Sequence, residues 1–363
     1  MSILGVGAGA VGGTGFYPET IDQSLRFEDG DSPYLDRTPS SASNRDTFTV
    51  SFWIKRANLG SIQILWQQGG SNNNSTQIQF YSDDTLRYQH TDSGSATDQL
   101  ITNAKFRDTT NWYHILLSVD TTQATDTNRV KLYVNGTEQT YSTANYPAQN
   151  VDTDVNSTGK MRISGQVSGT LYPIDGYYAE FNLIDGTALD PTSFGESKNG
   201  TWIPKSLSSL TYGTNGFRLT FADSSSLGDD TSGNGNDFTS SGLASTDVVP
   251  DSPTNNFCTL NKTIVSGQKS SATYSEGNLQ YTSTDAYDTA IGTIGVSSGK
   301  WYFETRLNSA GSQMVGLRAS PHTQNTTFLG QTTANSGISY YRSNGNIYNE
   351  GSGQDTGFDP GSS

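Results

Sequence analysis

Three glycines near the N-terminus have the spacing of a dinucleotide-binding loop. Gly7, Gly9 and Gly12 form G-x-G-x-x-G, and an acidic cluster at 28–31 lies near the distance of a ribose-binding carboxylate. That chemistry needs a strand before the loop and, after it, a helix whose N-terminus holds the pyrophosphate. Only six residues precede Gly7, and residues 13–18, rich in glycine and ending in proline, cannot start a long helix. The sequence therefore argues against a nicotinamide enzyme.

Several tyrosines could take part in carbohydrate binding. That function uses exposed aromatic faces that stack on sugar rings, beside amide, carboxylate and backbone groups that bond hydroxyls. The candidate stacking residues are Tyr81, Tyr88, Tyr172, Tyr177 and Tyr178. The alternative for each of them is an ordinary tyrosine in a sheet.

Loop carboxylates give one candidate calcium site. The segment DDTSGNGND offers Asp229, Asp230 and Asp237, and hard oxygen ligands suit Ca²⁺. The alternative is a set of solvated loop acids, because no loop fits an EF-hand. No other cofactor is expected. The single cysteine, Cys258, excludes thiolate metal sites and an intrachain disulfide, and the three histidines are scattered.

Composition and charge restrict the partners of the chain. The net charge of -14 repels phosphate backbones, which disfavours nucleic-acid binding. No run of about 18 apolar residues occurs, so no membrane-spanning helix is expected. Although only 32% of the 363 residues are hydrophobic, 11% are aromatic, which indicates a folded chain and not a disordered one.

The elements that must position these side chains have a β pattern. Apolar and polar residues alternate in 47–56 and again in 130–134, which ends at Asn135-Gly136, a type I′ turn signal. A further strand at 216–221 is expected to pair with 25–27. The longest helix expected is a short turn at 190–195, with Asp190 as its N-cap. The expected core is Phe48, Val50, Phe52, Trp112, Leu116, Leu132, Val134, Ile163 and Phe181.

Four motifs in this order resemble the laminin-G/concanavalin A-like jelly roll: NWYHILLSVD, VKLYVNGTE, GKMRISG and IDGYYAEFNLIDGTALDPTSFG. Further along, SSGKWYFETRL resembles the opening strand of a SPRY domain. Residues 314–317 and the tyrosine-rich stretch 339–348 resemble the strand and hairpin that follow it. The fold class expected is therefore all-β: an antiparallel concanavalin A-like jelly-roll β-sandwich, followed by a second, incomplete SPRY-like β-sandwich.

The order of segments along the whole chain resembles virion proteins of tailed bacteriophages, especially marine ones. This resemblance implies a Gly/Ala-rich anchoring arm at 1–20, a jelly roll at 21–222, a linker at 223–265 and a SPRY-like sandwich at 266–363 that continues past Ser363. The residues of the arm that would be buried against a partner are Ile3, Leu4, Val6, Val11, Phe16 and Tyr17.

Concanavalin A-like folds include glycoside hydrolases, so an enzyme must be considered. Retaining β-glucanases of this fold carry Glu-x-Asp-x-Glu, which places two carboxylates about 5 Å apart. That triplet does not occur, and the nearest pair, Glu180 and Asp185, has the wrong spacing. A polysaccharide lyase would need a histidine beside a tyrosine or lysine on neighbouring strands. His114, in the motif with Trp112, and Tyr133 are the residues of the sequence that could be arranged in this way.

The expected function is a non-enzymatic virion protein of the tail fibre or tail. It would dock to other virion proteins through its arm, form a homotrimer and bind host surface glycan. The alternatives are a capsid or tail decoration or spacer protein without a receptor site, and a polysaccharide depolymerase.

Overall fold

The computed structural model describes residues 2–4, 15–262, 272–285, 288–308, 312–318, 329, 337–349 and 352–355. Residues 7–257 form one compact unit, here called the sandwich unit. Residues 1–6 and 258–363 form the other, the C-terminal unit. Strands β1 to β26 are numbered in chain order, and every pairing among them is antiparallel.

The sandwich unit consists of two eight-stranded sheets and one separate hairpin. Sheet I contains β2 (Ser24–Phe27), β4 (Thr47–Arg56), β9 (Tyr113–Asp120), β10 (Val130–Val134), β11 (Thr137–Glu138), β14 (Gly176–Asp185), β17 (Phe217–Leu219) and β19 (Val248–Val249). Sheet II contains β3 (Tyr34–Arg37), β5 (Gln63–Ser71), β6 (Asn74–Phe80), β7 (Thr85–Asp92), β8 (Ser95–Lys105), β12 (Tyr141–Asn145), β13 (Lys160–Ile163) and β18 (Thr239–Ser241). The hairpin is β15 (Gly195–Lys198) with β16 (Thr201–Pro204).

The strand order explains how each sheet is built. Sheet I runs β11-β10-β9-β4-β14-β2-β19, with β17 also beside β14, and sheet II runs β12-β8-β7-β6-β5-β13-β3-β18. In the described part of the sandwich unit, 3₁₀ turns lie between strands at Asp29–Asp31, Asp126–Asn128, Pro191–Ser193 and Ser245–Asp247. This all-β, antiparallel sandwich is the fold class expected from the sequence.

One main core fills the space between the sheets. Inward-facing residues of sheet II pair directly across four strands: Trp66, Ile78, Tyr88 and Leu100. Sheet I contributes Phe52 and Phe181, whose stacked rings have centroids 4.7 Å apart. All nine predicted core residues are buried, but Trp112 and Leu116 belong to two smaller clusters.

Those smaller clusters lie on the outer face of sheet I. Trp53 alternates with Phe52 along β4, so it points away from the main core and packs with Trp112 and Tyr177. Leu116 packs with Phe194 and with residues near 207–212 in the same way. Sheet I is therefore covered on both faces, and β4 is buried over nearly its whole length.

The predicted linker at 223–265 is wrong over residues 223–257, which belong to the sandwich unit. β18 pairs with β3, β19 pairs with β2, and Leu227 and Phe238 enter the main core. These apolar side chains hold the polar segment against the sandwich, although its composition is typical of a linker. The predicted strand near 217 forms β17, but it pairs with β14 and not with 25–27.

The N-terminal arm expected at 1–20 is only partly an arm. Ser2–Leu4 forms β1, so Ile3 and Leu4 lie in a sheet of the C-terminal unit, paired with residues 304–305. Val6 and Val11 lie outside the described residues. Phe16 is partly exposed, its ring meets that of Tyr17 edge-on, and its carbonyl accepts a hydrogen bond from Lys198.

Among the described residues of the C-terminal unit, the strands form two four-stranded sheets. They are formed by β1 with β20 (Thr273–Ser275), β21 (Gln280–Thr282) and β22 (Glu304–Arg306), and by β23 (Met314–Arg318), β24 (Gly337–Tyr341), β25 (Asn346–Asn349) and β26 (Ser352–Asp355). The expected strand at 314–317 and the tyrosine-rich hairpin are present. The strand expected over 297–307 is shorter than expected: it spans Glu304–Arg306, and Trp301 and Tyr302 before it are 56% and 63% exposed.

Candidate functional site

The predicted sugar-stacking tyrosines divide into buried and accessible residues. Tyr88, Tyr177 and Tyr178 are buried, so their rings offer no face to a sugar and the prediction is wrong for these three. Packing of these rings against apolar neighbours in the cores favours their burial more than the polar hydroxyls oppose it. The Tyr178 hydroxyl donates to the Leu65 carbonyl, 2.8 Å away.

Tyr81 and Tyr172 are the accessible ones. The Tyr81 ring is half-buried, and the Arg87 guanidinium carbon lies 3.6 Å from its centroid. Tyr172 is 38% exposed, and its backbone has a positive φ of 50°. Both residues stay candidates for stacking.

The predicted calcium residues form a closed hydrogen-bonded turn. Both carboxylate oxygens of Asp230 accept hydrogen bonds, from the backbone N–H groups of Arg218, Ser232 and residue 236. Asp237 in turn accepts from the Asp230 N–H. No trio of His, Cys, Asp or Glu in the described part of the chain is placed to hold a metal ion. Asp230 and Asp237 therefore do not fit calcium, since N–H donors occupy oxygens that a cation would need, and Asp229 is an exposed loop residue.

Side-chain amides form a row across the outer face of sheet II. The row is made of directly paired residues on β5, β6, β7 and β8: Gln67, Gln77, Gln89 and Gln99. Each lies next in sequence to a core residue of the inward-facing row, so the pleat puts the amides on the opposite face. We call this set the glutamine row.

Hydrogen bonds within the glutamine row fix its side chains. Gln67 Nε2 donates to Gln77 Oε1 at 2.8 Å. Gln89 Oε1 accepts from Gln99 at 3.3 Å and from Gln79 at 3.4 Å. Amides both donate and accept, so the half-buried Gln89 and Gln99 keep further capacity for a ligand.

Charged residues continue the row toward the other edge of sheet II. Arg162 of β13 pairs with Gln67 and, on its other side, with Asp36 of β3. The guanidinium binds the Asp36 carboxylate through two bonds of 2.6 and 2.7 Å. Arg162 also lies over the Tyr34 ring, 3.9 Å from its centroid.

The loop 165–172 covers one end of the glutamine row. The Val167 N–H donates to Gln67 Oε1, and the Tyr172 carbonyl accepts from the Ile64 N–H. Gln67 is buried under this loop, whereas Gln89 and Gln99 are half-buried. The accessible part of the face therefore lies over β7 and β8, where Arg87 also points outward.

A depression lies on the outer face of sheet I. It has a volume of about 260 Å³ and is lined by Ser118, Asp120, Lys131, Tyr133, Asp190 and neighbouring residues. Burial, together with the charges of Glu138 and Asp190, raises the pKa of Tyr133 to about 12. Its hydroxyl therefore stays protonated near neutral pH.

Ser51 and His114 form a buried pair that resembles a nucleophile and its base. Ser51 Oγ lies 2.9 Å from His114 Nε2, and Trp202 Nε1 lies 3.1 Å from His114 Nδ1. An indole N–H can only donate, so Nδ1 is the acceptor and the proton sits on Nε2. His114 therefore donates to Ser51. Burial lowers the pKa of His114 to about 3, which keeps the ring neutral.

The carboxylates considered for sugar hydrolysis both have partners. Glu180 sits at a β-bulge in β14 with φ 48°, and Arg218 binds it through two bonds of 2.9 Å. Asp185 accepts hydrogen bonds from the Asn215 N–H and the Asn156 side chain.

Reasoning from the sequence missed the glutamine row, although a signal was present. Glutamine alternates with apolar residues in 76–80 and lies next to an apolar residue in 66–67, 88–89 and 99–100. Only strand register brings these residues into one line.

Residues 29–192 match the family model described as the Concanavalin A-like lectin/glucanases superfamily. No curated protein matches the chain. Among the described residues, no helix is long and apolar enough to span a membrane.

Solved structures similar to this chain include three from other organisms. A heptameric SAP-like pentraxin from Limulus polyphemus has 17% identity and a TM-score of 0.34, over 47% of this chain and 78% of its own. Domains LG4-5 of the mouse laminin alpha1 chain have 16% identity and a TM-score of 0.34, over 56% and 50%. Domain 4 of a GH43 extracellular arabinanase from Geobacillus stearothermophilus, in complex with arabinotriose, has 21% identity and a TM-score of 0.31, over 41% and 65%. The family match and the strand topology together give the sandwich unit a concanavalin A-like, laminin G fold.

Proposed function

We propose that this protein is a non-enzymatic structural protein of a tailed-bacteriophage virion, in the tail fibre or the tail, that binds host surface glycan. The lectin-like sandwich supports carbohydrate binding. The observation that carries the site is the glutamine row, with Tyr81 and Arg87 on the same face. Ordered amides can bond sugar hydroxyls, and fixing them beforehand lowers the entropy cost of binding.

The virion role rests on the resemblance of the whole segment order to tailed-phage proteins. A homotrimer would present three glycan sites, and several weak contacts then give strong avidity. The net charge of -14 would keep such a particle component soluble. In this proposal the C-terminal unit is SPRY-like, which its tyrosine-rich hairpin, β24 and β25, supports.

The geometry at the candidate catalytic groups favours binding over catalysis. His114 donates to Ser51 and so cannot take its proton. Both carboxylate oxygens of Glu180 accept hydrogen bonds from the Arg218 guanidinium, and this pairing opposes the use of Glu180 as a nucleophile or acid.

A glycan array tests this proposal against its alternatives. Full-length protein is applied to surface polysaccharides of candidate host bacteria, and binding to at least one is expected. Silence across the array would favour a decoration or spacer protein of capsid or tail. New reducing ends or unsaturated sugars after incubation with polysaccharide would instead identify a depolymerase.

Attachment through the N-terminus is tested by deleting residues 1–15. The expected result is loss of incorporation into particles, with unchanged melting of the sandwich unit. Normal incorporation of the deleted protein would contradict docking by the arm. Because β1 belongs to the C-terminal unit, a point variant at Phe16, which lies outside β1, is a useful second test.

A further inference from the structure

Lys55 is a fully buried lysine on the outer face of sheet I. Its ammonium nitrogen lies 2.8 Å from Asp251 Oδ2, 2.8 Å from Asn256 Oδ1 and 2.7 Å from the Phe257 carbonyl oxygen. The side chains of Lys55 and Asp251 are 0% and 5% exposed. A buried lysine and a buried carboxylate therefore meet a half-buried carboxamide.

Asp251 and Asn256 are each held in place by further contacts. Asp251 Oδ1 accepts from Trp112 Nε1 at 3.1 Å and from the Phe257 N–H at 3.2 Å. Asn256 Nδ2 donates to the Thr110 carbonyl at 2.8 Å, which fixes which end of the amide faces the lysine.

The surroundings of this trio are aromatic. Trp112 and Tyr177 are buried in the cluster on this face of sheet I, and the Lys55 nitrogen is 5.9 Å from the centroid of the Tyr177 ring. Two full charges are costly in such a place, and Asp251 Oδ2, 2.8 Å from Nζ, is positioned to take a proton from the ammonium. The product is a neutral amine beside an amide, and a desolvated amine is a nucleophile.

We propose that Lys55 and Asn256 join in an intramolecular isopeptide bond, with Asp251 carrying the proton. Asp251 takes a proton from the ammonium, and the freed electron pair of Nζ attacks Cγ of Asn256. The Nζ–Cγ bond forms and the Cγ–Nδ2 bond breaks. The protons lost from Nζ pass to Nδ2, partly through Asp251, so nitrogen leaves as ammonium. No oxidant, metal or other reactant is required.

The position of this bond gives it a structural purpose. It would join Lys55 of β4 to Asn256, the residue before the last one of the sandwich unit. The bond would close a loop of about 200 residues. The chain has one cysteine and so no intrachain disulfide to do this. A covalent tie would hold residues 248–257 on sheet I even when the unit is stretched or partly unfolded.

Mass spectrometry of the purified full chain, after complete denaturation, tests the proposal. The expected intact mass is lower than the sequence mass by one ammonia. Trypsin should then give a branched peptide in which residues 46–56 are joined to residues 219–262, since linked Lys55 resists cleavage. Cyclisation at Asn–Gly sites such as Asn234–Gly235 also expels ammonia, so the branched peptide decides.

Three variants and one matched control assign the roles. Lys55→Met, Asn256→Ala and Asp251→Asn should each abolish the branched peptide. Asn255→Ala should retain it, because this neighbouring side chain contacts the Pro250 carbonyl and not Lys55. Asn256→Ala should also lower the Tm more than Asn255→Ala does.

Two results would overturn the proposal. One is wild-type protein that yields only the unlinked peptide 46–55, which would mean that the trio is a buried ion pair alone. The other is a branched peptide that survives in Asn256→Ala, which would place the cross-link elsewhere. A branched peptide in Asp251→Asn would refute the proton-carrying role of Asp251.

Discussion

Gln89 accepts hydrogen bonds from Gln79 and Gln99, so the side chains on this face hold one another in place. Its own Nε2 donates to the Thr91 hydroxyl at 3.0 Å. Such mutual support fixes polar groups on an accessible face without using up all of their bonding capacity. The orientation of each amide on this face is therefore set by its partners on neighbouring strands.

Tyr88 tests the distinction between buried and accessible tyrosines. Its ring is fully buried and its hydroxyl has no hydrogen-bond partner. Tyr88→Phe should therefore leave glycan binding unchanged and raise stability by about 1 kcal/mol, because an unpaired buried hydroxyl is removed. Thermal melting and glycan affinity are the measurements. A clear fall in affinity with unchanged stability would restore Tyr88 as a binding residue.

Asp98 gives a pH-dependent prediction. Burial raises the pKa of its carboxyl to about 6. The contribution of this carboxyl to stability is therefore fully present below its pKa in the unfolded state, which is near 4. The contribution is lost as the pH rises through 6, because the native state then loses a proton that it held more tightly. Asp98→Asn should match wild type near pH 4 and be more stable at pH 7, by about 1 kcal/mol after allowance for solvent screening.

Melting curves of both proteins from pH 4 to 8 provide the check on Asp98. Burial lowers the pKa of His114, but this histidine is remote from Asp98 and present in the two proteins, so its effect cancels in the difference. A difference in Tm that stays constant over this range would contradict the assignment.

At the scale of elements, residues 223–257 complete the sandwich although their composition is that of a linker. β18 extends sheet II beyond β3, and β19 extends sheet I beyond β2. Phe238 packs against Phe217, with ring centroids 4.7 Å apart. The edges of both sheets therefore depend on this segment.

A pair of fragments tests that dependence. Residues 15–257 should fold cooperatively, whereas residues 15–222 should melt at a much lower temperature or aggregate, because two strand edges and part of the core are exposed. Circular dichroism melts and size-exclusion chromatography compare them. Equal stability of the two fragments would support a linker that starts at 223.

Local signals in the sequence predicted local structure well. Asn135 and Gly136 have φ values of 49° and 75°, as the type I′ turn requires, and Asp190 caps the turn at Pro191–Ser193 by accepting from the Thr192 N–H. Alternation also placed the predicted residues in buried positions. Each of these features depends on residues a few positions apart.

Long-range pairing could not be predicted from the same signals. The pairing of β3 with β18 joins residues about 200 positions apart, and nothing local specifies it. The glutamine row needs the register of four strands, and the burial of Tyr177 needs the cover over sheet I. For this reason the candidate stacking residues chosen from the sequence included three buried tyrosines.

For the sandwich unit as a whole, the two outer faces differ. Sheet I carries apolar clusters under residues 190–212 and 248–257, whereas sheet II presents amides and paired charges. A face covered by its own chain serves stability, and the polar face remains for a ligand. This asymmetry is the reason to place glycan binding on sheet II and not in the depression beside Tyr133.

Calorimetric titration of the full chain with the polysaccharide selected on the array tests this placement. The double variant Gln89→Ala/Gln99→Ala should bind about tenfold or more weakly, because each lost hydrogen bond contributes about 1 kcal/mol. Lys131→Ala, in the depression on sheet I, is the matched control and should keep wild-type affinity. Loss of binding in Lys131→Ala, with full affinity in the double variant, would contradict the account.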